Sequence, residues 1–378
     1  MREKIPRDPI TLKRKSMFRF AQIAGKGASF TECAHSVGFT EDAQSSLRGR
    51  NKKNPRLGID LLGGDLSSPA HMVEALGCLY KNIREPFSLV VFSNSKSSPS
   101  LEEFKCSNHL SSKRLQIIDT EDVIRMSDDP LRAVRRKQNS SMCRGVRLLK
   151  EKKIDAFIST GNTGALITSA KIYLPMLTGI SKTALIALLP TKKEPVAVLD
   201  VGASIHCMPG HLVQFAKLGI AFQKTRGISH PTVGLLNIGK EEKKGGKMLI
   251  KTHKLLHQIP CFVGNVEGKD VFSGDVHVLV TDGFTGNVFL KTSEGVSALI
   301  LDTIHQNRHI APPAESLLRC LEPQCYATEY AGAILCGMDG LVIKCHGNAN
   351  STTLKHSAHE AIRLIQGSFL DRIKLQLA

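Results

Sequence analysis

From Leu57 onward the sequence repeats one pattern: a short apolar run, a glycine-containing turn and an amphipathic stretch. Continuous apolar runs of about four to eight residues are typical of strands buried on both faces, and amphipathic stretches between them are typical of covering helices. The alternation predicts an α/β fold with a mostly parallel, doubly wound, Rossmann-like sheet and helices on both faces. The predicted strands are residues 57–62, 87–92, 115–118, 154–159, 184–189, 196–201, 233–238, 276–281 and 341–345. The clearest predicted helices are residues 69–81, 131–151, 210–223 and 284–305.

Composition agrees with this class of fold. The chain has 378 residues, of which 42% are hydrophobic, enough to bury one large core or two smaller ones. Tryptophan is absent and aromatic residues make up 5%, whereas 31 residues are glycine. Such a profile fits an α/β protein with short glycine turns better than an aromatic-rich β-sandwich.

Residues 1–56 differ from the rest because basic residues greatly outnumber acidic ones and apolar periodicity is weak. We interpret them as a basic, partly disordered N-terminal extension, with residues 57–378 as the catalytic domain. The alternative hypothesis is that these residues tether the protein to nucleic acid or to a membrane, and only their charge supports it. The net charge of +17 favours acidic partners in general.

The sequence contains neither a membrane-spanning segment nor a metal motif. The longest apolar stretch, residues 165–190, is interrupted by Lys171, Pro175, Gly179 and Lys182. The ten cysteines include no C-x-x-C pair, so we expect buried thiols without disulfides or zinc. We therefore expect a cytoplasmic protein without metal or cofactor, able to touch the inner face of the cell membrane.

Four turns that follow predicted strands share glycine, hydroxyl and carboxylate residues. They are residues 60–65, 159–164, 200–204 and 281–287. Glycine lets backbone N–H groups converge on a ligand, and a helix that begins there adds a positive dipole. In a doubly wound fold ligands bind beyond the carboxyl ends of the strands, so we expect all four turns at one sheet edge. A single such turn is also compatible with a plain strand–helix connection.

Common catalytic and binding motifs are missing. The sequence has no G-x-x-x-x-G-K-[ST], no G-x-G-x-x-G after a strand, no G-x-S-x-G and no H-E-x-x-H. RNP, helix-turn-helix and zinc-finger signatures are also absent, so no nucleic-acid partner is expected. His356 and His359 have helical spacing but no third ligand, which is typical of surface histidines.

The ordered blocks of the chain resemble the bacterial phosphate acyltransferase (PlsX) family. The matching blocks are GIDLLGGD (58–65), STGNTGA (159–165), LPT (189–191), DVGA (200–203), GLLNIG (234–239), GNVEG (264–268), TDGFTGNV (281–288) and LKTSEG (290–295). The sequence departs from the family pattern at Leu62, where the family has methionine, at Ala331, where it has glycine, and at Asn348, where it has serine. The basic extension is not part of the resemblance.

The resemblance implies transfer of a fatty acyl group from an acyl-carrier-protein thioester to inorganic phosphate. The product would be an acyl phosphate for phosphatidic acid and phospholipid synthesis. It also implies a homodimer. The reaction needs little acid–base machinery, because phosphate is already an anionic nucleophile and a thiol leaves easily. Direct attack therefore fits the lack of a nucleophile–base pair; Cys207 follows His206, but we interpret its thiol as structural.

We assign candidate roles to residues of the turns. The Gly161–Gly164 backbone and Thr163 are predicted to hold phosphate, Lys291 to supply positive charge, and Asn287 to donate to the thioester carbonyl. His346 is a candidate proton donor to the leaving thiolate. The predicted catalytic residues are Lys291, Asn287, His346 and Asp282, and the predicted phosphate or substrate ligands are Gly63, Gly64, Asp65, Ser159, Gly161, Asn162, Thr163, Gly164, Gly283, Thr285 and Gly286.

Each assignment has a structural alternative. Lys291 has the sequence context of a solvated helix lysine, Asn287 that of a capping amide and His346 that of a core histidine. Asp60, Asp65 and Asp282 would repel phosphate, so we expect them to orient the turns or cap helices; a divalent ion is the alternative.

Residues 240–257 are basic and amphipathic, which suggests contact with an acidic carrier protein or anionic lipid. A solvated surface helix is the plain alternative. Two other functions stay open: a short-chain acyl-CoA:phosphate transferase of the phosphotransacetylase type, and a non-catalytic basic scaffold.

Overall fold

The computed structural model describes residues 54–64, 67–306, 318, 321, 332–345 and 350–377. Residues 1–53 of the predicted extension lie outside the described residues. Two residues assigned to the site from the sequence, Asp65 and His346, lie outside them as well.

One mixed sheet organises the described part of the chain. Its eleven strands are β1 (Arg56–Asp60), β2 (Ser88–Ser93), β3 (Leu115–Asp119), β4 (Ala156–Ser159), β5 (Ala184–Leu189), β6 (Val196–Leu199), β7 (Val233–Leu236), β8 (Phe262–Val266), β9 (Val278–Val280), β10 (Ala333–Cys336) and β11 (Leu341–Lys344). Their spatial order is β3-β2-β1-β4-β11-β10-β5-β6-β9-β7-β8. The nine predicted strands are all present. The structure adds β8 and β10, which the sequence analysis did not predict.

The sheet consists of two parallel groups that run in opposite directions. β3, β2, β1, β4 and β11 are parallel to one another, and β6, β9, β7 and β8 form the second group. Between the groups the pairs β11–β10, β10–β5 and β5–β6 are antiparallel. Because three reversals separate the groups, the carboxyl ends of the second group lie at the edge opposite to those of the first.

Ten α-helices within the described residues cover the two faces of the sheet. They are α1 (Pro69–Asn82), α2 (Ser98–Ser107), α3 (Pro130–Arg136), α4 (Ser141–Lys150), α5 (Thr163–Tyr173), α6 (Pro209–Thr225), α7 (Lys247–Leu256), α8 (Gly283–Gln306), α9 (Ser351–Gln366) and α10 (Phe369–Leu377). The predicted class, an α/β fold with a mostly parallel Rossmann-like sheet, is confirmed.

Local capping chemistry explains where several helices begin. The Ser68 side chain accepts a hydrogen bond from the His71 N–H at the start of α1, and Asp129 accepts one from the Arg132 N–H at the start of α3. The helix predicted over residues 131–151 is two helices, because Ser140 caps α4 by accepting from the Cys143 N–H.

The hydrophobic core lies between the buried strands and the helices that pack against them. Both Phe92 and Phe157 are fully buried, and their rings meet edge to face with centroids 6.1 Å apart. Gly145 lets α4 approach β4, because a Cβ there would lie 2.0 Å from the Phe157 ring. Among the described residues no helix is both long and apolar enough to cross a membrane.

Candidate active site

The turns after β1 and β4 lie side by side; we call residues 60–64 and 159–164 the β1–β4 turn pair. Asp60 and Ser159 are register partners in adjacent parallel strands. A Cβ on Gly63 would lie 2.8 Å from the Gly161 Cα, so the two turns pack backbone against backbone. Glycine at these positions therefore makes the close approach possible.

Buried polar groups hold the β1–β4 turn pair together. The Ser159 hydroxyl donates to Asp60 Oδ2 at 2.9 Å and accepts from the Gly161 N–H at 3.1 Å. Asp60 Oδ1 accepts from the Leu62 N–H at 3.2 Å. Burial raises the pKa of Asp60, against the hydrogen bonds it accepts and the nearby charge of Lys344. Asp60 thus orients the turns, as the sequence analysis expected of it.

Helix α5 begins in this turn pair. The Asn162 side chain accepts from the Ala165 N–H at 3.0 Å and donates to the carbonyl oxygens of Arg125, Met126 and Asp128. The amide is therefore engaged in capping α5 and fixing the loop before α3. Thr163 and Gly164 follow at the first two helical positions, half-buried. Their N–H groups have no acceptor in the part of the chain that the structure describes.

Lys344 is a residue of this site that the sequence analysis missed. It is the last residue of β11, paired in register with Ser159, and is only 8% exposed. Its ammonium group donates to the carbonyl oxygens of Thr160, at 3.5 Å, and Cys345. Burial, opposed by Asp60 and Cys345 and reinforced by the charge of Lys291, lowers the pKa of Lys344 to about 8. The only signal in the sequence was a lysine near the end of the apolar run 341–345.

The turns after β6 and β9 form a second group; we call residues 200–204 and 281–287 the β6–β9 turn pair. A Cβ on Gly286 would lie 1.9 Å from the Asp200 carbonyl oxygen, and one on Gly283 would lie 2.6 Å from that of Ser204. Both glycines are therefore needed for α8 to dock on the turn after β6. Asn287 lies against Gly202 in the same contact.

Two aspartates organise the β6–β9 turn pair. Asp282 Oδ1 accepts from the N–H groups of Phe284 and Thr285, and its Oδ2 accepts from the Thr285 hydroxyl at 2.7 Å. These bonds cap the start of α8. Asp282 therefore has the helix-capping role that the sequence analysis considered for the carboxylates. Asp200 Oδ1 accepts from the N–H groups of Leu185, Gly202 and Ala203, and burial raises the pKa of Asp200 to about 6.

The expectation that all four turns share one edge is wrong. The β1–β4 turn pair follows strands of the first parallel group, and the β6–β9 turn pair follows strands of the second. The antiparallel pairings of β10 and β5 reverse the chain direction between them. Consequently Gly63, Gly64, Ser159 and residues 161–164 lie at one edge, and Gly283, Thr285 and Gly286 lie at the other.

Helix α8 carries two of the residues assigned to the site from the sequence. It begins at Gly283 in the β6–β9 turn pair and carries Asn287 and Lys291 on one face, four residues apart. Lys291 Nζ lies 2.8 Å from Glu294 Oε2, and the lysine side chain is half-exposed. Its positive charge contributes to the lowered pKa of Lys344. Lys291 therefore reaches the electrostatic environment of the β1–β4 turn pair from the opposite edge.

Cys207 lies near the β6–β9 turn pair, with its thiol 3.7 Å from the Ser204 carbonyl oxygen. Burial, together with the charge of Asp200, raises the pKa of Cys207 to about 11. A thiol of this kind is a poor nucleophile near neutral pH. Within the described residues no three His, Cys, Asp or Glu side chains are grouped as a metal site.

The basic stretch predicted over residues 240–257 contains α7. Lys247, Lys251 and Lys254 are exposed, whereas Met248 and Leu249 pack against the core. The apolar face of α7 is therefore turned inward, and its outer face is a row of lysines.

Comparisons with known proteins point to one family. Residues 55–372 match the family model described as "Fatty acid synthesis protein". The "Phosphate acyltransferase" of Chlamydia pneumoniae is 39% identical over 323 residues, which is 84% of this chain and 98% of that protein. The "Phosphate acyltransferase" of Clostridium acetobutylicum is 36% identical over 330 residues, 85% of this chain and 98% of that protein.

Solved structures share the fold at low sequence identity. A phosphotransacetylase from Streptococcus pyogenes has a TM-score of 0.55 at 14% identity, covering 87% of this chain and 99% of its own. EutD phosphotransacetylase from Staphylococcus aureus has a TM-score of 0.54 at 13% identity, covering 86% and 98%. These two comparisons support the architecture, and the sequence relatives support the activity. The chain belongs to the fatty acid synthesis protein family of phosphate acyltransferases, enzymes that transfer an acyl group to phosphate.

Proposed function

We propose that the protein transfers a fatty acyl group from an acyl-carrier-protein thioester to inorganic phosphate and so supplies acyl phosphate for phospholipid synthesis. The observation that carries the proposal is the β1–β4 turn pair, where packed glycines, the N-terminus of α5 and a buried lysine converge. Such a group of donors fits an anion better than an apolar ligand.

The proposed chemistry is direct attack. A phosphate oxygen forms a bond to the thioester carbonyl carbon, the resulting tetrahedral oxyanion collapses, the carbon–sulfur bond breaks, and the thiolate takes up a proton. The raised pKa of Cys207 supports a route without an acyl-cysteine intermediate. Placing phosphate beside the carbonyl can lower the barrier by about 7–11 kcal/mol, the range found for well-oriented intramolecular reactions.

The proposed donor is a carrier protein because an acidic partner suits the exposed lysines of α7. The packing of Met248 and Leu249 into the core leaves no apolar face on α7 for insertion into lipid. Contact of this helix with an anionic membrane would therefore rest on charge. We place the enzyme in the cytoplasm, peripheral to the inner face of the cell membrane, where its lipid products are used.

We also propose a homodimer, supported by α8. Val296, Leu299 and Ile300 on this helix are 51%, 67% and 47% exposed, and exposed apolar side chains grouped on one helix are typical of association surfaces. Light scattering of the wild type and of Leu299→Lys tests this proposal. A wild type that is monomeric at micromolar concentration would contradict it.

One assay tests the reaction. Palmitoyl carrier protein is incubated with the enzyme, with and without inorganic phosphate, while free thiol and acyl phosphate are measured. We expect thiol release that depends on phosphate and matches acyl phosphate in amount. Equal release without phosphate would indicate a hydrolase, and no release would favour the scaffold reading.

A short-chain acyl-CoA transferase is the second candidate, because the compared phosphotransacetylases share the fold. Parallel assays with acetyl-CoA, palmitoyl-CoA and palmitoyl carrier protein separate the two functions. We expect the highest kcat/KM for the carrier thioester; a preference for acetyl-CoA would overturn the proposed donor.

A further inference from the structure

Lys344 is a buried cation, and no carboxylate of the described residues pairs with it directly. Its side chain is more than nine-tenths buried at the end of β11. No ion pair joins Lys344 to an acidic side chain within the described residues; its hydrogen bonds go to the carbonyl oxygens of Thr160 and Cys345. Carbonyl dipoles satisfy N–H groups, but they do not neutralise an ammonium charge.

Asp60 is the nearest candidate for a counter-ion and is poorly suited to that role. It acts on Lys344 through its charge without an ion-pair contact. Its carboxylate oxygens are engaged by Ser159 and the Leu62 N–H, and burial raises its pKa, which favours the neutral acid. Within the part of the chain that the structure describes, the positive charge of Lys344 is thus only partly compensated.

Two further features at the same place favour a negative charge. The free N–H groups of Thr163 and Gly164 lie at the N-terminus of α5, an eleven-residue helix that follows directly from β4, beside β11. Lys291 adds a second positive charge that acts on Lys344. This like charge disfavours the ammonium form of Lys344, and an anion bound beside both lysines would relieve the repulsion.

We propose that Lys344 binds the inorganic phosphate of the reaction, with the Thr163 and Gly164 N–H groups on one side and Lys291 as the second cation. The proposal rests on the proposed function and assigns the acceptor phosphate to the β1–β4 edge of the sheet. It places the residue responsible for phosphate affinity on β11, outside the glycine turns. Lys291 contributes from α8, so the thioester would approach along that helix.

The test uses the full chain and three substitutions of lysine. Lys344→Gln keeps a donor for the carbonyl oxygens of Thr160 and Cys345 and removes the charge, whereas Lys344→Arg keeps the charge. Lys224→Gln is the control, because Lys224 is a half-buried lysine that likewise donates to a neutral partner, the Gln376 side chain. The KM for phosphate and the KM for the carrier thioester are measured for each.

We expect Lys344→Gln to raise the KM for phosphate by about tenfold or more, the scale of a lost charge-assisted hydrogen bond, with little change in the KM for the thioester. Lys344→Arg should restore much of the affinity, and Lys224→Gln should match the wild type. A folded Lys344→Gln variant with the wild-type KM for phosphate overturns the proposal. That result would mean that Lys344 has only a structural role beside Asp60.

A binding measurement separates this proposal from the reaction itself. Inorganic phosphate at millimolar concentration should raise the Tm of the wild type and of Lys224→Gln, but not that of Lys344→Gln. If the wild type cleaves no carrier thioester and phosphate still protects it in this pattern, the proposed donor is wrong and the phosphate site stands. Equal protection of all variants contradicts the site whatever the donor.

If Lys344→Gln fails to fold, the variant Thr163→Pro tests the proposed phosphate site instead. Proline is well accepted at the first position of a helix, and it removes the N–H group assigned to phosphate. A raised KM for phosphate with normal helix content supports the site, and an unchanged KM overturns it.

Discussion

At the scale of single residues, two lysines with different surroundings are proposed to bind the phosphate. Lys344 is buried beside the β1–β4 turn pair, and Lys291 is half-exposed on α8 with Glu294 as an ion-pair partner. Burial of an unpaired charge costs several kcal/mol per ion after relaxation, and an anion bound beside Lys344 would offset part of that cost. The ion pair on α8 joins a lysine that is 50% exposed to a carboxylate that is 8% exposed. Loss of the lysine should therefore cost somewhat more than a fully exposed pair at this spacing, about 1 kcal/mol.

Lys291→Ala should therefore separate activity from stability. We expect acyl phosphate formation to fall at least about a hundredfold, because a charge that acts in the transition state is removed. The Tm should fall by no more than about 4 °C, the scale of a loss of about 1 kcal/mol of stability. The measurement is thiol release together with thermal unfolding, and Lys217→Ala, an exposed lysine on α6, is the control. Wild-type turnover by Lys291→Ala would exclude the lysine from the site.

The pH dependence of phosphate binding should report on Lys344. Its pKa is lowered to about 8, so the ammonium form that binds an anion is present below that pH and is lost as the pH rises through it. We expect the KM for phosphate to rise above pH 8, approaching tenfold for each pH unit. Lys344→Arg should abolish this rise, because a guanidinium stays charged over the whole range. A KM that is flat between about pH 7 and 9.5 in the wild type would contradict the assignment.

Sequence reasoning identified the glycine turns but not Lys344, for a physical reason. Glycine, hydroxyl and carboxylate residues after a strand form a local pattern that can be read directly. A lysine at a strand end looks the same in sequence whether it points to solvent or into the protein. Its burial follows from β11 lying in the middle of the sheet, between β4 and β10, which is a non-local fact.

At the scale of elements, α8 positions the candidate residues from the second half of the sheet. Its first turn is docked on the turn after β6 through Gly283 and Gly286, and Asn287 and Lys291 follow within two helical turns. The placement of both side chains therefore depends on how closely the helix meets the Asp200 backbone. Asp282 fixes the start of the helix by capping it.

Gly286→Ala should disturb both stability and catalysis. The new Cβ would lie 1.9 Å from the Asp200 carbonyl oxygen, so the helix must shift. We expect a loss of about 1–3 kcal/mol of unfolding free energy, as for other overpacked sites, and a lowered kcat. Urea unfolding and steady-state kinetics measure the two effects.

Gly295→Ala on the same helix is the matched control for that substitution. A Cβ at Gly295 would meet no atom within 4 Å. Alanine there should stabilise the helix by about 0.5–1 kcal/mol and leave the kcat unchanged. If both variants lose stability equally, the close contact of Gly286 with the turn is not what holds α8.

The elements themselves were largely predictable. Nine strands are apolar runs that local patterning reveals, and the start of α1 follows from Ser68 and Pro69. β8 was missed because Gly264 and Asn265 interrupt its apolar run, with Gly264 at φ 105°. β10 is a four-residue apolar run, Ala333–Cys336, that the sequence analysis did not assign. The direction of the second parallel group was beyond local reasoning, because strand pairing joins residues far apart in sequence.

At the scale of the whole molecule, the position of the lysines says more about carrier binding than the net charge does. The net charge of +17 attracts any acidic partner, but α7 concentrates exposed lysines on a helix whose apolar side is already buried. Such a surface steers an acidic carrier by long-range attraction and adds little contact area.

Binding of the carrier should therefore weaken with salt. Because the Debye length shrinks from about 10 Å at 0.1 M to about 3 Å at 1 M, the KM for the carrier thioester should rise steeply over that range. Changing Lys247, Lys251 and Lys254 together to Gln should raise the KM at low salt and flatten its salt dependence. The control is a variant with Gln at Lys81 and Lys113, which are exposed in the first half of the sheet. An unchanged salt dependence in the α7 variant would show that the carrier docks on another surface of the protein.

The chain order of the central strands has a consequence for synthesis on the ribosome. β10 and β11 come last among the strands, yet they lie between β4 and β5 and complete the sheet. Until they emerge, β4 and β5 each present an unpaired edge, the kind of surface that invites pairing between chains. A chain truncated before residue 332 would thus form two half-sheets without Lys344. We expect such a chain to aggregate and to lack the proposed phosphate site.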